Sequence, residues 1–385
     1  MSAYLDYAAS APLRLEVLES YTRDLAYFAE QGANPNALHA QGRAVREMLE
    51  SARAEVAELL GADSAEVIFT SGATESNSLA LSAAISTASP SSGYVTSRLE
   101  HPASSAHATR AASVGLEVRW AEVSPLGVVE TDSVSELASS GDVAVASFMA
   151  VDNEVGAIQP VKELTRAVRD RSPGALIHCD AAQAVGHVPV SFHDFGVDSL
   201  ALSGHKFGAP IGVGALLVKR GFPQLTDRPG GGQERGMRSG TQNVAGARAL
   251  ACALRIASRD MGSETQRLGQ LRDRLVAGLD SRVRLSTTAP TSPHIIHLST
   301  GRTPPEVLLM AMDNAGVAVS AASACAAGVA RPSSSLLAMG YPEDQAMGAL
   351  RVSIGHATTE ADVDAFVGAL PDALDTAERF NGRSR

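Results

Sequence analysis

Short apolar runs of strand length alternate with helical segments through the first half of this chain. Such alternation indicates an α/β fold in which helices cover a mostly parallel sheet. Ligands bind sheets of this kind at the carboxyl ends of the strands, so the residues that follow each run are the first candidates for a functional site. The runs that predict strands are residues 66–70, 93–96, 116–120, 143–148, 176–179, 199–202 and 214–218.

The pattern changes in the last third of the chain. Residues 245–279 have helical periodicity and predict a bridge to a second unit, and residues 381–385 predict a frayed tail. We predict a large domain of residues 15–255 and a smaller α+β domain made of residues 1–14 and 256–385. The smaller domain has predicted strands at 294–298, 317–319 and 351–354, and predicted helices at 306–315 and 359–370.

Composition excludes several classes of protein. The 385 residues are 45% hydrophobic, enough for a large core, and the formal net charge of −10 argues against direct nucleic-acid binding. Three scattered cysteines are too few for a disulfide framework or a Cys-only zinc site, and they are typical of a reducing compartment. Neither a signal peptide nor a membrane span is evident. We therefore expect a cytoplasmic enzyme without a metal site.

Lys206 follows a strand-like apolar run and precedes a glycine-rich exit, in the stretch Leu-Ser-Gly-His-Lys-Phe-Gly at 202–208. Its flanks predict that the lysine is held at the end of a buried element. One interpretation is a charged lysine that extends out of the edge of a core. The other is a lysine that forms a Schiff base with a carbonyl cofactor, because a desolvated amine loses its proton easily and becomes a nucleophile.

Asp180 ends the apolar run 175–179, 26 residues before Lys206. Pyridoxal phosphate chemistry needs a carboxylate beside the pyridine nitrogen, to keep that nitrogen protonated. A carboxylate that caps the next helix is the structural alternative. Either role alone is common, whereas an Asp at one strand end and a Lys at the next, a βαβ unit apart, form a less common pair.

The stretch 66–81 predicts a strand, a turn of small residues and a helix. The N-terminus of a helix is a ready anion site, because its unpaired N–H groups and its dipole both favour a phosphate. Thr74 adds a hydroxyl to this turn. Many α/β turns look the same, so this signal alone does not define a site.

Taken together, these segments resemble the cysteine desulfurases, in the class V aminotransferase group of fold-type I pyridoxal phosphate enzymes. The resemblance runs nearly end to end. It rests on Asp180 with Gln183, on Ser-Gly-His-Lys at 203–206, and on Tyr-Leu-Asp-Tyr-Ala-Ala at 4–9, Asn-Pro at 34–35 with His39, Phe-Thr-Ser-Gly-Ala-Thr-Glu-Ser-Asn at 69–77, Asn-Glu-Val-Gly at 153–156, Gly-Gly-Gly-Gln-Glu-Arg-Gly-Met-Arg-Ser-Gly-Thr at 230–241 and Ser-Ala-Cys at 323–325.

The resemblance implies a role for each matching residue around the cofactor pyridoxal 5'-phosphate. It implies that Lys206 forms the Schiff base and that Asp180 faces the pyridine nitrogen. It implies that His101 stacks on the ring and moves protons. It also implies that Asn153 orients the phenolic oxygen and binds the substrate, and that Gln183 reaches the same oxygen. The residues that correspond to the family's phosphate site are Ala73, Thr74, Ser203 and His205.

Two further matches concern the substrate and the assembly. Arg351 corresponds to the arginine that binds the substrate α-carboxylate, for which a guanidinium suits the bidentate contact. A surface arginine is the alternative. Thr241 corresponds to a threonine that reaches the phosphate site of the neighbouring subunit, which implies a homodimer with shared sites.

Cys325 lies in a run of small residues at 319–330, which predicts a mobile loop because few side chains anchor it. The resemblance implies that L-cysteine is converted to L-alanine and leaves a persulfide on Cys325. A protein of iron–sulfur assembly, or of tRNA or other thiolation, then accepts the sulfur. Because the thiolate is the nucleophile, we expect either a lowered pKa of the Cys325 thiol or a proton acceptor such as His101 near it. We expect structural roles for Cys179 and Cys252.

The sequence departs from the family pattern at three points. Ser320-Ala321-Ala322 replaces the usual Ser-Ser-Gly, Arg331 stands where an acid is common, and His356 follows Gly355 where an arginine is common. Two alternative functions stay open. One is a related enzyme, such as an aminotransferase or a selenocysteine lyase, and the other is a non-catalytic scaffold, which would be colourless.

Overall fold

The computed structural model of the chain describes residues 2–32, 34–226, 228–321 and 331–383. In these residues no helix is both long enough and apolar enough to cross a membrane. The strands are β1 (Ala3–Tyr4), β2 (Val67–Thr70), β3 (Gly93–Ser97), β4 (Glu117–Ala121), β5 (Val143–Met149), β6 (Leu176–Asp180), β7 (Ser199–Ser203), β8 (Gly214–Val218), β9 (Arg284–Leu285), β10 (Ile295–Ser299), β11 (Val317–Ala318) and β12 (Ala349–Ser353).

Helices connect most of these strands, as the alternating pattern predicts. They are α1 (Leu15–Gln31), α2 (Ala40–Leu59), α3 (Ala73–Thr87), α4 (Pro102–Ser113), α5 (Thr131–Ser139), α6 (Val161–Arg169), α7 (Phe192–Phe195), α8 (Val244–Ala277), α9 (Pro305–Asn314), α10 (Ser334–Ala338), α11 (Glu343–Ala346) and α12 (Glu360–Arg383). Short 3₁₀ turns cover Ser64–Glu66, Gly204–Lys206 and Glu234–Gly236.

Seven strands form the large sheet, in the order β2-β8-β7-β6-β5-β3-β4. Strand β8 is antiparallel to both β2 and β7, and the other neighbours are parallel. Alternate residues of a strand face opposite sides of a sheet. In β2, Phe69 belongs to one buried cluster with helices α2 and α8, whereas Ile68 belongs to another with α3. Helices therefore cover both faces, and the predicted mostly parallel α/β architecture is confirmed.

A second, antiparallel sheet in the order β12-β10-β9 lies in the last third of the chain. Its core includes Leu5 from the N-terminal segment, Leu271 from the far half of α8, and Phe366 from α12. This shared core supports the α+β unit that we predicted. The boundaries, residues 15–255 against 1–14 with 256–385, stay a prediction.

Helix α12 is longer than we predicted. The sequence pattern favours a helix that ends at Leu370, because Pro371 lacks an N–H group and its ring clashes with a carbonyl of the preceding turn. The helix instead continues past Pro371 to Arg383, so the predicted frayed tail at 381–385 is wrong for residues 381–383. Ala373, Leu374 and Ala377 are buried beyond the proline. Burial of this apolar face offsets the lost hydrogen bond.

Candidate active site

One cavity of about 490 Å³ opens at the carboxyl edge of the large sheet. Strands β6 and β7 are parallel neighbours, which brings Asp180 and Ser203 to the same edge. The turn after β2 and the loops after β3 and β5 complete the wall. Nine of the predicted site residues line this cavity: Ala73, Thr74, His101, Asn153, Asp180, Gln183, Ser203, His205 and Lys206.

Asp180 is the last residue of β6, and its side chain is fixed by two donors. Asn77 Nδ2 donates to Asp180 Oδ2 at 2.6 Å, and the backbone N–H of Ala182 donates to Oδ1 at 3.0 Å. The residue is 5% exposed. A turn, not a helix, follows the strand, so Asp180 does not act as a helix cap. The carboxyl group of Asp180 is therefore buried and held in one orientation at the cavity wall.

Lys206 ends the 3₁₀ turn that follows β7. Its Nζ donates to the carbonyl oxygen of Ala8 at 2.6 Å and to that of Ala9 at 3.1 Å. Gln183 Nε2 donates to the same Ala8 oxygen at 2.9 Å. The N-terminal segment thus passes directly over the amine, and its carbonyl groups hold the amine at the cavity wall.

His101 is the N-cap residue of α4, where its Nδ1 accepts from the backbone N–H of Ala103 at 3.1 Å. Burial lowers the pKa of His101, although the Asp180 carboxylate opposes this effect. A neutral imidazole that accepts at Nδ1 carries its proton on Nε2. His101 then presents an N–H donor at Nε2. Its expected role as a proton acceptor for the Cys325 thiol stays a prediction, because Cys325 lies outside the described residues.

The far end of the cavity fits a phosphate group. Helix α3 begins at Ala73, and its first-turn N–H groups have no acceptor within the helix. Gly72 has a φ of 154°, and a Cβ atom placed there would lie 3.1 Å from Ser203 Oγ. Burial and the neighbouring Lys206 lower the pKa of His205 to about 4, so this imidazole is neutral. The helix terminus and hydroxyl groups, not this histidine, therefore supply the attraction for an anion.

The whole donor set of the cavity matches pyridoxal phosphate. Thr74 and Ser203 with their hydroxyls, the first residues of α3, the Asp180 carboxylate and Lys206 all line the same space. A phosphate requires hydroxyl and N–H donors, a pyridine nitrogen requires a carboxylate, and an aldehyde requires an amine. The residues present therefore fit the cofactor.

Arg351 and Thr241 do not line the cavity. Arg351, on β12, is 6% exposed, and its Nη1 donates to the carbonyl oxygen of Asn153 at 2.7 Å while Nη2 donates to Asp6 Oδ1 at 3.1 Å. It therefore supports the cavity wall through Asn153 and is not a surface arginine. Thr241 is exposed. Its predicted position in a neighbouring subunit stays a prediction.

The predicted nucleophile, Cys325, lies outside the residues that the structure describes. The other two cysteines are free and buried. Burial raises the pKa of the Cys252 thiol and raises that of Cys179 well above its ordinary value. Because the thiolate is the reactive form, neither is suited to attack a substrate. Their burial agrees with the structural roles that we predicted.

Asn77 is the site residue that sequence reasoning missed. Asn77 belongs to the segment 69–77 that resembles the family, but our sequence analysis gave it no role. It lies one helical turn after Thr74 on α3, and both residues line the cavity. Residues three apart share one face of a helix, so this spacing was a signal that could have identified Asn77.

Comparison with known proteins agrees with this geometry. The family model Aminotransferase class-V matches residues 3–366. The chain therefore belongs to the class-V aminotransferase family, whose members depend on pyridoxal phosphate.

Relatives within this family are more specific. An "IscS-like cysteine desulfurase" of Mycobacterium tuberculosis is 39% identical over an alignment of 395 positions. The alignment covers 98% of this chain and 97% of that protein. A solved "NIFS-LIKE PROTEIN" is 32% identical with a TM-score of 0.89, over 97% of this chain and 100% of its own. The structure "SspA in complex with cysteine" is 27% identical with a TM-score of 0.80, over 92% and 99%. The predicted resemblance to cysteine desulfurases is confirmed.

Proposed function

We propose that this protein is a cysteine desulfurase that converts L-cysteine to L-alanine and leaves a persulfide on Cys325. One observation carries the proposal: Asp180, Lys206 and the N-terminus of α3 border a single cavity, in the arrangement that pyridoxal phosphate requires. The near full-length similarity to an IscS-like cysteine desulfurase selects this reaction among those of the family.

Pyridoxal phosphate, when bound, supplies an electron-accepting ring. The Asp180 carboxylate, fixed by Asn77 and by the Ala182 N–H group, keeps the ring nitrogen protonated. Thr74, Ser203 and the N-terminus of α3 would hold the phosphate, and His101 would offer the ring a neutral imidazole. These residues form the fixed part of the site.

Lys206 moves the proton at the substrate Cα. Its amine donates to the Ala8 and Ala9 carbonyl oxygens, which orient it at the cavity wall. An amine placed at the boundary between cavity and N-terminal segment can both receive the Cα proton and return a proton to the product. The Ala8 carbonyl also accepts from Gln183, so one backbone oxygen positions both the Lys206 and the Gln183 side chains.

The Cys325 thiolate attacks the substrate sulfur. A sulfur–sulfur bond forms, the Cβ–sulfur bond breaks, its electron pair is protonated at Cβ, and alanine leaves. His101 donates at Nε2, so it can stabilise a negative charge that develops beside it. The sulfur then passes to a protein acceptor, for which iron–sulfur assembly and tRNA or other thiolation are the two candidate pathways.

The proposal also includes the oligomeric state of the protein and its cellular compartment. The exposure of Thr241 supports a homodimer in which this threonine reaches the phosphate site of the neighbouring subunit. Two buried free thiols, Cys179 and Cys252, support a reducing compartment, the cytoplasm.

The test is to incubate the purified protein with pyridoxal phosphate and L-cysteine and to measure alanine and sulfide. Lys206→Ala should lose both the visible absorption band and alanine formation, and Cys325→Ser should keep the band and lose sulfide release. A Cys325→Ser variant that still releases sulfide from cysteine would refute the role of this thiol. A new amino acid formed from an amino donor and a keto acid would instead favour an aminotransferase.

A further inference from the structure

Two histidines, the buried His294 and the half-buried His187, stack against each other beside the cavity. The rings of His187 and His294 have centroids 3.6 Å apart and lie within 14° of parallel. His187 Nε2 lies 2.9 Å from the backbone oxygen of Lys206, and His294 Nε2 lies 3.1 Å from Gln183 Oε1. The pair therefore connects the backbone of the amine-bearing residue with the amide of a cavity residue.

Hydrogen-bond chemistry fixes the direction of every contact in this cluster. The Ala8 oxygen only accepts, so Gln183 must present its NH₂ group to it and its Oε1 to His294. His294 Nε2 consequently carries a proton and donates to Gln183, and its Nδ1 accepts from Ser292 Oγ at 2.6 Å. His187 Nε2 likewise carries a proton and donates to the backbone oxygen of Lys206, because a carbonyl oxygen only accepts.

Both imidazoles are neutral. Burial lowers the pKa of His187 to about 4 and that of His294 well below its ordinary value. The backbone contact with Lys206 opposes this shift on His187, whereas nearby charges lower the pKa further, namely Lys206 on both rings, Arg351 on His294 and Arg14 on His187. A neutral pair keeps one fixed tautomer, so the orientation of the Gln183 amide is fixed as well.

We propose that His294 is a positioning residue, which holds the Gln183 amide so that an N–H group, not the carbonyl oxygen, faces the oxygen substituent of the bound ring. The inference rests on the proposed function, since it requires the cofactor in this cavity. His294 immediately precedes β10, and it stacks on His187, which contacts the backbone oxygen of Lys206. The contacts of this histidine pair therefore connect Lys206 and Gln183 to the smaller sheet.

Loss of this contact leaves the Gln183 amide held at one end by the Ala8 carbonyl, so its N–H group is no longer kept on the ring oxygen. An N–H group stabilises a deprotonated ring oxygen, whereas a carbonyl oxygen repels it. In the holoenzyme without cysteine, His294→Leu should therefore raise the pH midpoint of the visible absorption change, by about one pH unit for the loss of one hydrogen bond to a charged group. His294→Gln retains a donor near Nε2 and should restore most of the midpoint.

His297 provides a matched control. It too is buried, it is neutral because burial lowers its pKa to about 3, and it bonds to a serine, with His297 Nδ1 2.7 Å from Ser286 Oγ. His297 lies opposite Arg351 in the pairing of β10 with β12. A change at His297 could therefore affect cysteine binding through Arg351, so the midpoints are compared in protein without cysteine. His297→Leu should lower the melting temperature to a similar extent but leave the midpoint unchanged.

Three results would overturn the proposal: an unchanged midpoint in His294→Leu, an equal shift in His297→Leu, or no recovery in His294→Gln. If His294→Leu does not fold, Ser292→Ala gives the same test, because removal of the Ser292 hydroxyl frees the His294 tautomer and should shift the midpoint upward by less. A wild-type protein without a Lys206-dependent band would refute the proposed function itself. A normal band with an insensitive midpoint would refute only the role of His294.

Discussion

Asn77 joins Asp180 to a buried histidine through both ends of its amide. Its Nδ2 donates to Asp180 Oδ2 at 2.6 Å, and its Oδ1 lies 2.8 Å from His178 Nε2. Burial lowers the pKa of His178 to about 3, so this histidine is neutral and donates from Nε2 while its Nδ1 accepts from Ser199 Oγ, 2.9 Å away. A chain of four side chains thus orients the carboxylate that the cofactor ring requires.

Removal of this amide should weaken cofactor binding. Asn77→Leu keeps the side-chain volume but leaves one oxygen of the buried Asp180 carboxylate without its donor, a change that costs about 1–3 kcal/mol. We expect the dissociation constant for pyridoxal phosphate to rise at least tenfold, as measured by fluorescence titration of the apoenzyme. Ser82→Ala, on the same helix but bonded to His107, is the control. Equal affinities in the two variants would contradict the role of Asn77.

The planar fork of Arg351 should be necessary for cysteine binding. A lysine can keep at most one of the contacts that Nη1 and Nη2 make with the Asn153 oxygen and with Asp6. Asn153 lines the cavity and Arg351 does not, so we expect Arg351→Lys to act by releasing the wall at Asn153 and to raise the KM for L-cysteine about tenfold or more, with a smaller effect on kcat. Steady-state alanine formation measures both constants. An unchanged KM would show that cysteine binding does not depend on this support of Asn153.

Local sequence signals were enough to predict much of the fold and the site. Asp180 and Lys206 were identified because each follows an apolar strand, and neighbouring parallel strands end at one edge of a sheet. The contact between Arg351 and Asp6 joins residues 345 positions apart, and no local pattern encodes such a pair. The sequence likewise could not reveal that His294 reaches Gln183, because that contact depends on how the smaller sheet packs against the larger.

A buried acid pair should make stability depend on pH. Burial, and then the neighbouring Asp152, raises the pKa of Glu154 from 4.5 to about 7, and its oxygens accept from Ser333 and, at 2.9 Å, from Ser334. Between these two pH values the native state binds more protons than the unfolded state. The free energy of unfolding should therefore decrease as the pH rises from 4.5 toward 7.

Glu154→Gln should flatten this dependence, because the amide does not titrate and still accepts from a serine hydroxyl. Urea unfolding at several pH values measures the slope. The Asp152 pKa is also raised by burial, so part of the slope should remain. A slope identical to that of the wild type would show that Glu154 does not take up a proton in the native state.

A buried ion pair should stabilise the strand that leads into the α3 terminus. Arg53, on α2, makes two contacts of 2.8 Å with the Glu234 carboxylate, which also accepts from the backbone N–H of Phe69 in β2. Arg53→Met leaves a buried carboxylate without its cation, so we expect unfolding to become easier by about 3–5 kcal/mol. Arg255→Met breaks an ion pair whose arginine is 54% exposed and should cost at most about 1 kcal/mol. Urea denaturation compares the two variants. Equal losses of stability would show that burial does not set the strength of the Arg53 contact. A weaker affinity of Arg53→Met for pyridoxal phosphate would show that the pair also positions the α3 terminus.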